Sequence, residues 1–114
     1  MVQDNLHIAT SQSERGQRIF ALNGALNIHT VFKFQEAVRA DPSPILIIDC
    51  SGVSFIDSAG LGGMVGAVVS SRRVNRKIAF AGLNKQAKVL VDMTHVSQIL
   101  NAYDTIKEAE AAVF

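Results

Sequence analysis

Between Pro44 and Asp49 the chain carries an unbroken apolar run, Ile45, Leu46, Ile47 and Ile48. A β-branched and Leu run without polar alternation marks a strand covered on both faces. It predicts the centre of a sheet with packed layers above and below. With 48% hydrophobic residues among 114, the chain has apolar material for one core and too much of it for a disordered tail. A chain of this length buries roughly two thirds of its unfolded surface, so a single domain over residues 1–114 needs neither disulfide nor metal to fold.

The flanking segments supply the rest of the fold. Leu6 to Thr10 and Gln17 to Leu22 are strand-compatible, and SQSERG between them ends in Gly16, a good turn residue, so a hairpin is expected. Gly24 is expected to break the second strand. Asn27 is placed to cap a first helix, with Ile28, Val31, Phe34 or Gln35, and Val38 at helical spacing and an end before Pro42 and Pro44. After the central strand, SGVSFID reads as a connection. A second helix follows from Ser58 to Asn75, with Leu61, Val65, Val68 and Arg72 on one stripe. Its Gly60, Gly62, Gly63 and Gly66 each lower helix propensity by about 1 kcal/mol relative to Ala. Close packing on neighbouring backbone, at Gly63 or Gly66, would account for them.

Lys77 to Ala81 reads as a strand closed by Gly82, and Asn84 as the cap of a third helix carrying Ala87, Leu90, Val91 and Thr94. Ser97 to Tyr103 holds a short final strand. Thr105 to Glu108 has the capping-box pattern ahead of Ala109, Ala112 and Val113, which predicts a C-terminal helix. The order ββαβαβαβα is that of an α/β fold: a mixed, mostly parallel sheet packed with about four helices, the first hairpin forming an antiparallel edge. No internal repeat, linker or low-complexity segment interrupts it.

Several function classes are disfavoured on the same residues. A formal net charge of +1 gives no general attraction to nucleic acid or anionic lipid. The longest stretch of apolar and Gly residues, Ala59 to Val69, is well short of the roughly 18 needed to cross a bilayer, so no membrane insertion is expected. The start MVQDNLHIAT lacks the basic and apolar regions of a signal peptide, and Cys50 has no second thiol; the expected compartment is the cytoplasm. Arg72, Arg73, Arg76 and Lys77 form a basic cluster, but without interleaved aromatics they read as solvated cations at a helix C-terminus, not as a direct nucleic-acid site.

GLGGMVG, Gly60 to Gly66, is not a nucleotide fingerprint. Its glycines come about ten positions after Ile48, and the next strand ends in Ala81 and Gly82 with no acidic residue. No Gly-Lys-Ser or Gly-Lys-Thr occurs, so no nucleotide cofactor is implied. His7, His29 and His95 are isolated, and no two potential ligands have zinc spacing, so no metal is expected. A Cys50–His95 nucleophile pair or an Asp49–Asp57 carboxylate pair is conceivable in space. Strand-end and helix-start residues more often serve core packing, turns and caps.

SFIDSAGLG, Ser54 to Gly62, remains to be explained. Phe55 and Ile56 are expected to anchor in the core and so to fix Asp57 and Ser58 at the mouth of the second helix. A hydroxyl there has two uses. Asp57 or Ser58 can be the N-cap, or Ser58 can be phosphorylated, its phosphate sitting at the positive helix end while Gly60 and Gly62 leave the site open to a partner. Caps are the commoner use.

IIDCSGVSFIDSAGLGGMVGA, Ile47 to Ala67, resembles the signature of STAS domains, and especially that of bacterial anti-sigma factor antagonists. The family pattern is a hydrophobic strand ending in Asp, a turn, a hydrophobic pair, then Asp-Ser, a small residue and Gly-Leu-Gly. Gly24, Ala25 and Leu26 match the Gly-x-Leu before its first helix, and the likeness covers nearly the whole chain. The resemblance implies a switch and not an enzyme. The unmodified domain binds an anti-sigma factor that is also a serine kinase, which frees the sigma factor. That kinase phosphorylates the Ser after the Asp, here Ser58, and a serine phosphatase resets it. Asp57, Ala59, Gly60, Leu61, Gly62 and Asn27 would then form the partner contact. ATP would belong to the kinase, and the chain itself would need no cofactor. Asn27 stands where the family usually has Asp, and Ala59 where many phosphorylated members have Ser or Thr. The alternative is a non-catalytic STAS subunit of a membrane-bound lipid ABC transporter complex. A small enzyme using Cys50 or the Gly-rich helix is the third class.

Overall fold

The computed structural model describes residues 5–113; the ends of the expected domain, residues 1–4 and 114, lie outside the described residues. The elements follow in the order β1 (Leu6–Gln12), β2 (Arg18–Leu26), α1 (Val31–Ala40), β3 (Ile45–Ile56), α2 (Ser58–Arg73), β4 (Lys77–Ala81), α3 (Lys85–Met93), β5 (Ala102–Tyr103) and α4 (Ile106–Val113). This is the ββαβαβαβα order expected from the sequence. In space the five strands also run β1-β2-β3-β4-β5. Only β1 and β2 are antiparallel, so the hairpin is the edge of an otherwise parallel sheet.

The apolar run explains the layering. Leu46, Ile47 and Ile48 are all 0% exposed, because successive side chains of a strand point to opposite faces. Leu46 and Ile48 enter the larger core with Phe20, Phe34, Met64, Phe80 and Val91, and so lie under α1, α2 and α3. Ile47 enters the smaller core with Ile19, Ala79, Ala81, Ala109 and Val113, under α4. Half of the expected capping box forms at the start of α4: the Thr105 hydroxyl accepts from the Glu108 N–H at 3.1 Å, and the Glu108 carboxylate turns back to accept from that hydroxyl at 3.2 Å. Its far end is held to the hairpin, where Ser13 donates a hydrogen bond to the buried Glu110 carboxylate.

Several boundaries differ from the sequence expectation. β2 does not stop at Gly24; it continues to Leu26 by changing register between Ala21 and Asn23 and again between Gly24 and Ala25. Glycine permits this at φ +119, and a Cβ there would overlap the Asn5 carbonyl oxygen. SGVSFI is not a connection but the second half of β3, paired to β2 through Asn23 with Gly52, Ala25 with Phe55 and Leu26 with Ile56. α1 begins at Val31, not beside Asn27, and Ile28 is 64% exposed instead of lining the core. α2 ends at Arg73, and Asn75 takes a left-handed φ of 59 just beyond it. On α2 the buried apolar side chains are Leu61, Met64, Ala67 and Val68, whereas Val65 is half-buried and Arg72 exposed. Thr94 and Ala112 are likewise exposed, and β5 is confined to Ala102–Tyr103.

Arg76 is not a solvated cation. Its guanidinium pairs with Asp41 at 2.8 Å and donates to the carbonyls of Val38 at 2.6 Å and Ser43 at 2.7 Å. Arg18 reaches the other Asp41 oxygen at 3.2 Å. The α1–β3 connection is thereby tied to β2 and to the residue before β4. Burial pushes the Arg76 pKa down, and the facing Asp41 opposes that shift.

Replacing Ile47 by Asp would place an unpaired charge between the sheet and α4. A loss of about 4 kcal/mol or more is expected, enough to abolish cooperative unfolding in a circular dichroism melt. A variant that still melts cooperatively near the wild-type temperature would contradict the central place of β3.

Candidate functional site

β3 outruns its neighbour. β4 pairs with it only from Ile45 to Asp49, whereas β2 follows it as far as Ile56. The final turn of chain, Phe55 to Ser58, therefore stands at the open end of the sheet. Ile56 anchors it at 1% exposure, while Phe55 is 49% exposed; the expected pair of core anchors is a single one, because alternate strand residues face opposite ways.

Asp57 is the N-cap of α2. Its Oδ1 accepts from the Gly60 N–H at 2.7 Å, and its Oδ2 accepts from the Ile28 N–H at 3.2 Å. Its own N–H donates to the Leu26 carbonyl at 3.2 Å. One residue thus closes a helix end and binds it to the β2–α1 loop. That loop is built the same way: Asn27 Oδ1 accepts from His29 N–H at 2.9 Å and Thr30 N–H at 3.2 Å, and the buried Thr30 hydroxyl donates to the Ala25 carbonyl at 2.8 Å. Asn27 caps this leading turn, not α1 itself.

With the cap role taken by Asp57, the Ser58 side chain is left exposed and makes no hydrogen bond with the described residues. It occupies the first position of a helix of 16 residues, where unpaired N–H groups and the helix dipole favour an anion.

The glycines divide by environment. A Cβ on Gly60 would overlap the Leu26 carbonyl oxygen, and one on Gly63 would overlap Val31. Close packing thus explains Gly60 and Gly63 but not Gly66, whose nearest neighbour would be Gln35 Nε2 at 3.7 Å. Gly60 is buried and does not open the site; Gly62 faces open space. Of the remaining expected contact residues, Ala59 is half-buried and Leu61 is in the core.

Exposure brings in residues that the sequence reading assigned to the core or passed over. Ile28 and Phe32, the latter 66% exposed, lie in and just after the loop latched by Asp57, and Phe55 is in β3, two residues before Asp57. Burial, not spacing, distinguishes them from core residues, so no sequence signal marked them.

The other candidates fall apart in space. Cys50 is buried, its pKa is pushed up to about 12 by desolvation with a contribution from Asp49, and His95 is exposed beyond α3. A thiol in that setting is a protonated core residue, not a nucleophile. Asp49 Oδ1 accepts from the Ser51 N–H at 3.0 Å, a bond within β3 that engages Asp49 eight residues before Asp57. Among the described residues no group of three His, Cys, Asp or Glu could hold a metal ion, and no helix is long and apolar enough to cross a membrane.

The STAS domain family model matches residues 8–109. The anti-sigma-B factor antagonist of Listeria monocytogenes is 28% identical over 84% of this chain and 87% of its own. The fold is shared with an anti-sigma factor antagonist from Mycobacterium paratuberculosis, at a TM-score of 0.79 and 19% identity over 98% of this chain and 97% of that one. It is shared as well with unphosphorylated SpoIIAA, at 0.69 and 19% over 94% and 96%, and with the phosphorylated form of this Bacillus protein, at 0.68 and 17% over 95% and 100%.

The glycine environments give a paired test. Gly60→Ala should destabilise by about 2 kcal/mol through overpacking on Leu26, whereas Gly62→Ala should stabilise by about 0.5–1 kcal/mol through helix propensity. Urea denaturation of both variants checks this; equal effects would remove the packing distinction between them.

Proposed function

The chain belongs to the STAS domain family, and from that premise we propose that it is an anti-sigma factor antagonist switched by phosphorylation at Ser58. The observation that carries this reading is the division of labour between Asp57 and Ser58. Asp57 satisfies the helix start, so the Ser58 hydroxyl is exposed and can be modified without removing a cap. The names of the similar proteins support the antagonist function, and the existence of SpoIIAA in two phosphorylation states supports the form of the switch.

In the unmodified state the partner is an anti-sigma factor serine kinase in the cytoplasm, and its capture frees the sigma factor. Asn27, Asp57, Ala59 and Gly62 form the contact and the buried Gly60 and Leu61 shape it from beneath, with the exposed Ile28, Phe32 and Phe55 adding apolar area to the partner surface. The kinase supplies ATP and the catalytic groups; the chain supplies the acceptor, and a serine phosphatase restores it. Phosphate adds about −1.5 to −2 charges at pH 7. Within the domain its repulsion from Asp57 is partly offset by the helix end, worth about 0.3–1 kcal/mol at an exposed position. Asn27 adds no second carboxylate beside it, and Ala59 leaves Ser58 without a neighbouring hydroxyl to compete as acceptor. At the partner interface no such compensation exists, because docking strips water from the phosphate against a surface matched to a neutral hydroxyl.

Titration of the variants against the anti-sigma factor kinase identified from gene neighbours tests the reading, alongside an intact-mass measurement on the protein from its native cells. Ser58→Ala is expected to bind as the unmodified wild type does. Ser58→Asp is expected to bind about a hundredfold more weakly, a loss of about 3 kcal/mol, with both variants folded, and the native protein should carry one phosphate in a fraction of molecules. Equal affinities together with no phosphate would reject the switch and favour the transporter-subunit alternative.

A further inference from the structure

Among the described residues the second half of β3 has β2 on one side and no strand on the other, since β4 stops opposite Asp49. Backbone groups on that side need partners, because an unpaired N–H or C=O held away from water is costly. The first turn of α3 provides them with side chains. The Ile56 N–H donates to Gln86 Oε1 at 3.0 Å, and Gln86 Nε2 donates to the Ile56 carbonyl at 2.8 Å. A carboxamide presents its acceptor and donor side by side, as a strand residue presents its C=O and N–H. Gln86 therefore completes the sheet where β4 is missing. Asn84 continues the pairing: its Nδ2 donates to the Val53 and Ser54 carbonyls at 3.3 and 3.2 Å, while its Oδ1 accepts from the Ala87 N–H at 2.9 Å and caps α3.

We infer that Gln86 is a positioning residue for the Asp57–Ser58 site, acting through the backbone of Ile56. Ile56 is the residue before Asp57, and the Asp57 carboxylate must meet Gly60 on one side and Ile28 on the other. On the opposite edge the same peptide is held only by β2, through the Asp57 N–H to the Leu26 carbonyl. With Gln86 in place the end of β3 is gripped from both edges, and the hydroxyl of Ser58 is presented from a fixed backbone. The consequence for phosphoryl transfer rests on the switch reading above; the positioning itself does not.

The test is amide hydrogen exchange by NMR on the full chain, comparing wild type with Gln86→Met, which keeps the length and apolar stem but neither hydrogen bond. Exchange at Ile56 is expected to rise at least tenfold, and exchange at Gly60 and Ile28 to rise with it, while Ile47 and Phe80 in the β3–β4 pairing keep their rates. Gln86→Glu, whose carboxylate still accepts from the Ile56 N–H but cannot donate to the Ile56 carbonyl at neutral pH, is expected to leave Ile56 protected while exchange at Gly60 and Ile28 rises. Wild-type rates at Gly60 and Ile28 in both variants would overturn the inference. Uniform acceleration of all amides would overturn it too, since that is the mark of a general stability role. A native protein that never carries phosphate would retract the switch, and these site-specific rates would still decide the role of Gln86.

Discussion

The Asp57 carboxylate holds together two segments that the chain order keeps apart. One oxygen takes the Gly60 N–H at the start of α2, and the other takes the Ile28 N–H in the loop between β2 and α1. Each bond to an ionised oxygen contributes more than a neutral one, about 1.5–3 kcal/mol. The dependence runs outwards from there. Gly60 can sit against the Leu26 carbonyl only because it lacks a Cβ, and Gly63 can accept Val31 for the same reason. Together these close contacts and the carboxylate bring α1, α2 and the end of β2 to one place. The chemical outcome is that a hydroxyl, one residue along, is freed from structural duty.

The sheet has the same economy of form. Its centre is secured by apolar packing on both faces, but the end bearing the site projects past β4. A projecting strand end would fray if its free edge were unpaired. Asn84 and Gln86 pair it from α3, so the site is exposed without being loose. The half-buried Arg76–Asp41 pair does comparable service at the opposite end of β3, where it fixes the loop that feeds the strand.

Much of this was legible in the residues. The Ile45–Ile48 run gave the layered sheet, Gly16 the hairpin turn, Asn84 the cap of α3, and Thr105 with Glu108 the cap of α4. The residue types themselves set Asp57 and Ser58 at a helix mouth. What escaped was whatever depends on partners distant in sequence. Gly24 looks like a strand breaker in isolation, but the parallel pairing of β2 with β3 absorbs it as an irregularity. Ile28 has the spacing of a core residue and is exposed because α1 starts three residues later. Gln86 carries no local signature at all; its role exists only because β4 ends early. The choice between Asp57 and Ser58 as cap could not be made from the sequence, since both residue types cap well.

That choice is the hinge of the account, and thermal or urea unfolding of two single variants measures it directly. If Asp57 alone holds the helix start, Asp57→Ala should lose about 3 kcal/mol or more, from the cap and the bond to Ile28 together. Ser58→Ala should stay within about 0.5 kcal/mol of wild type, as an exposed side chain with no partner among the described residues should. A Ser58→Ala variant that loses as much as Asp57→Ala would contradict the account, because it would make Ser58 a structural cap instead of a free acceptor.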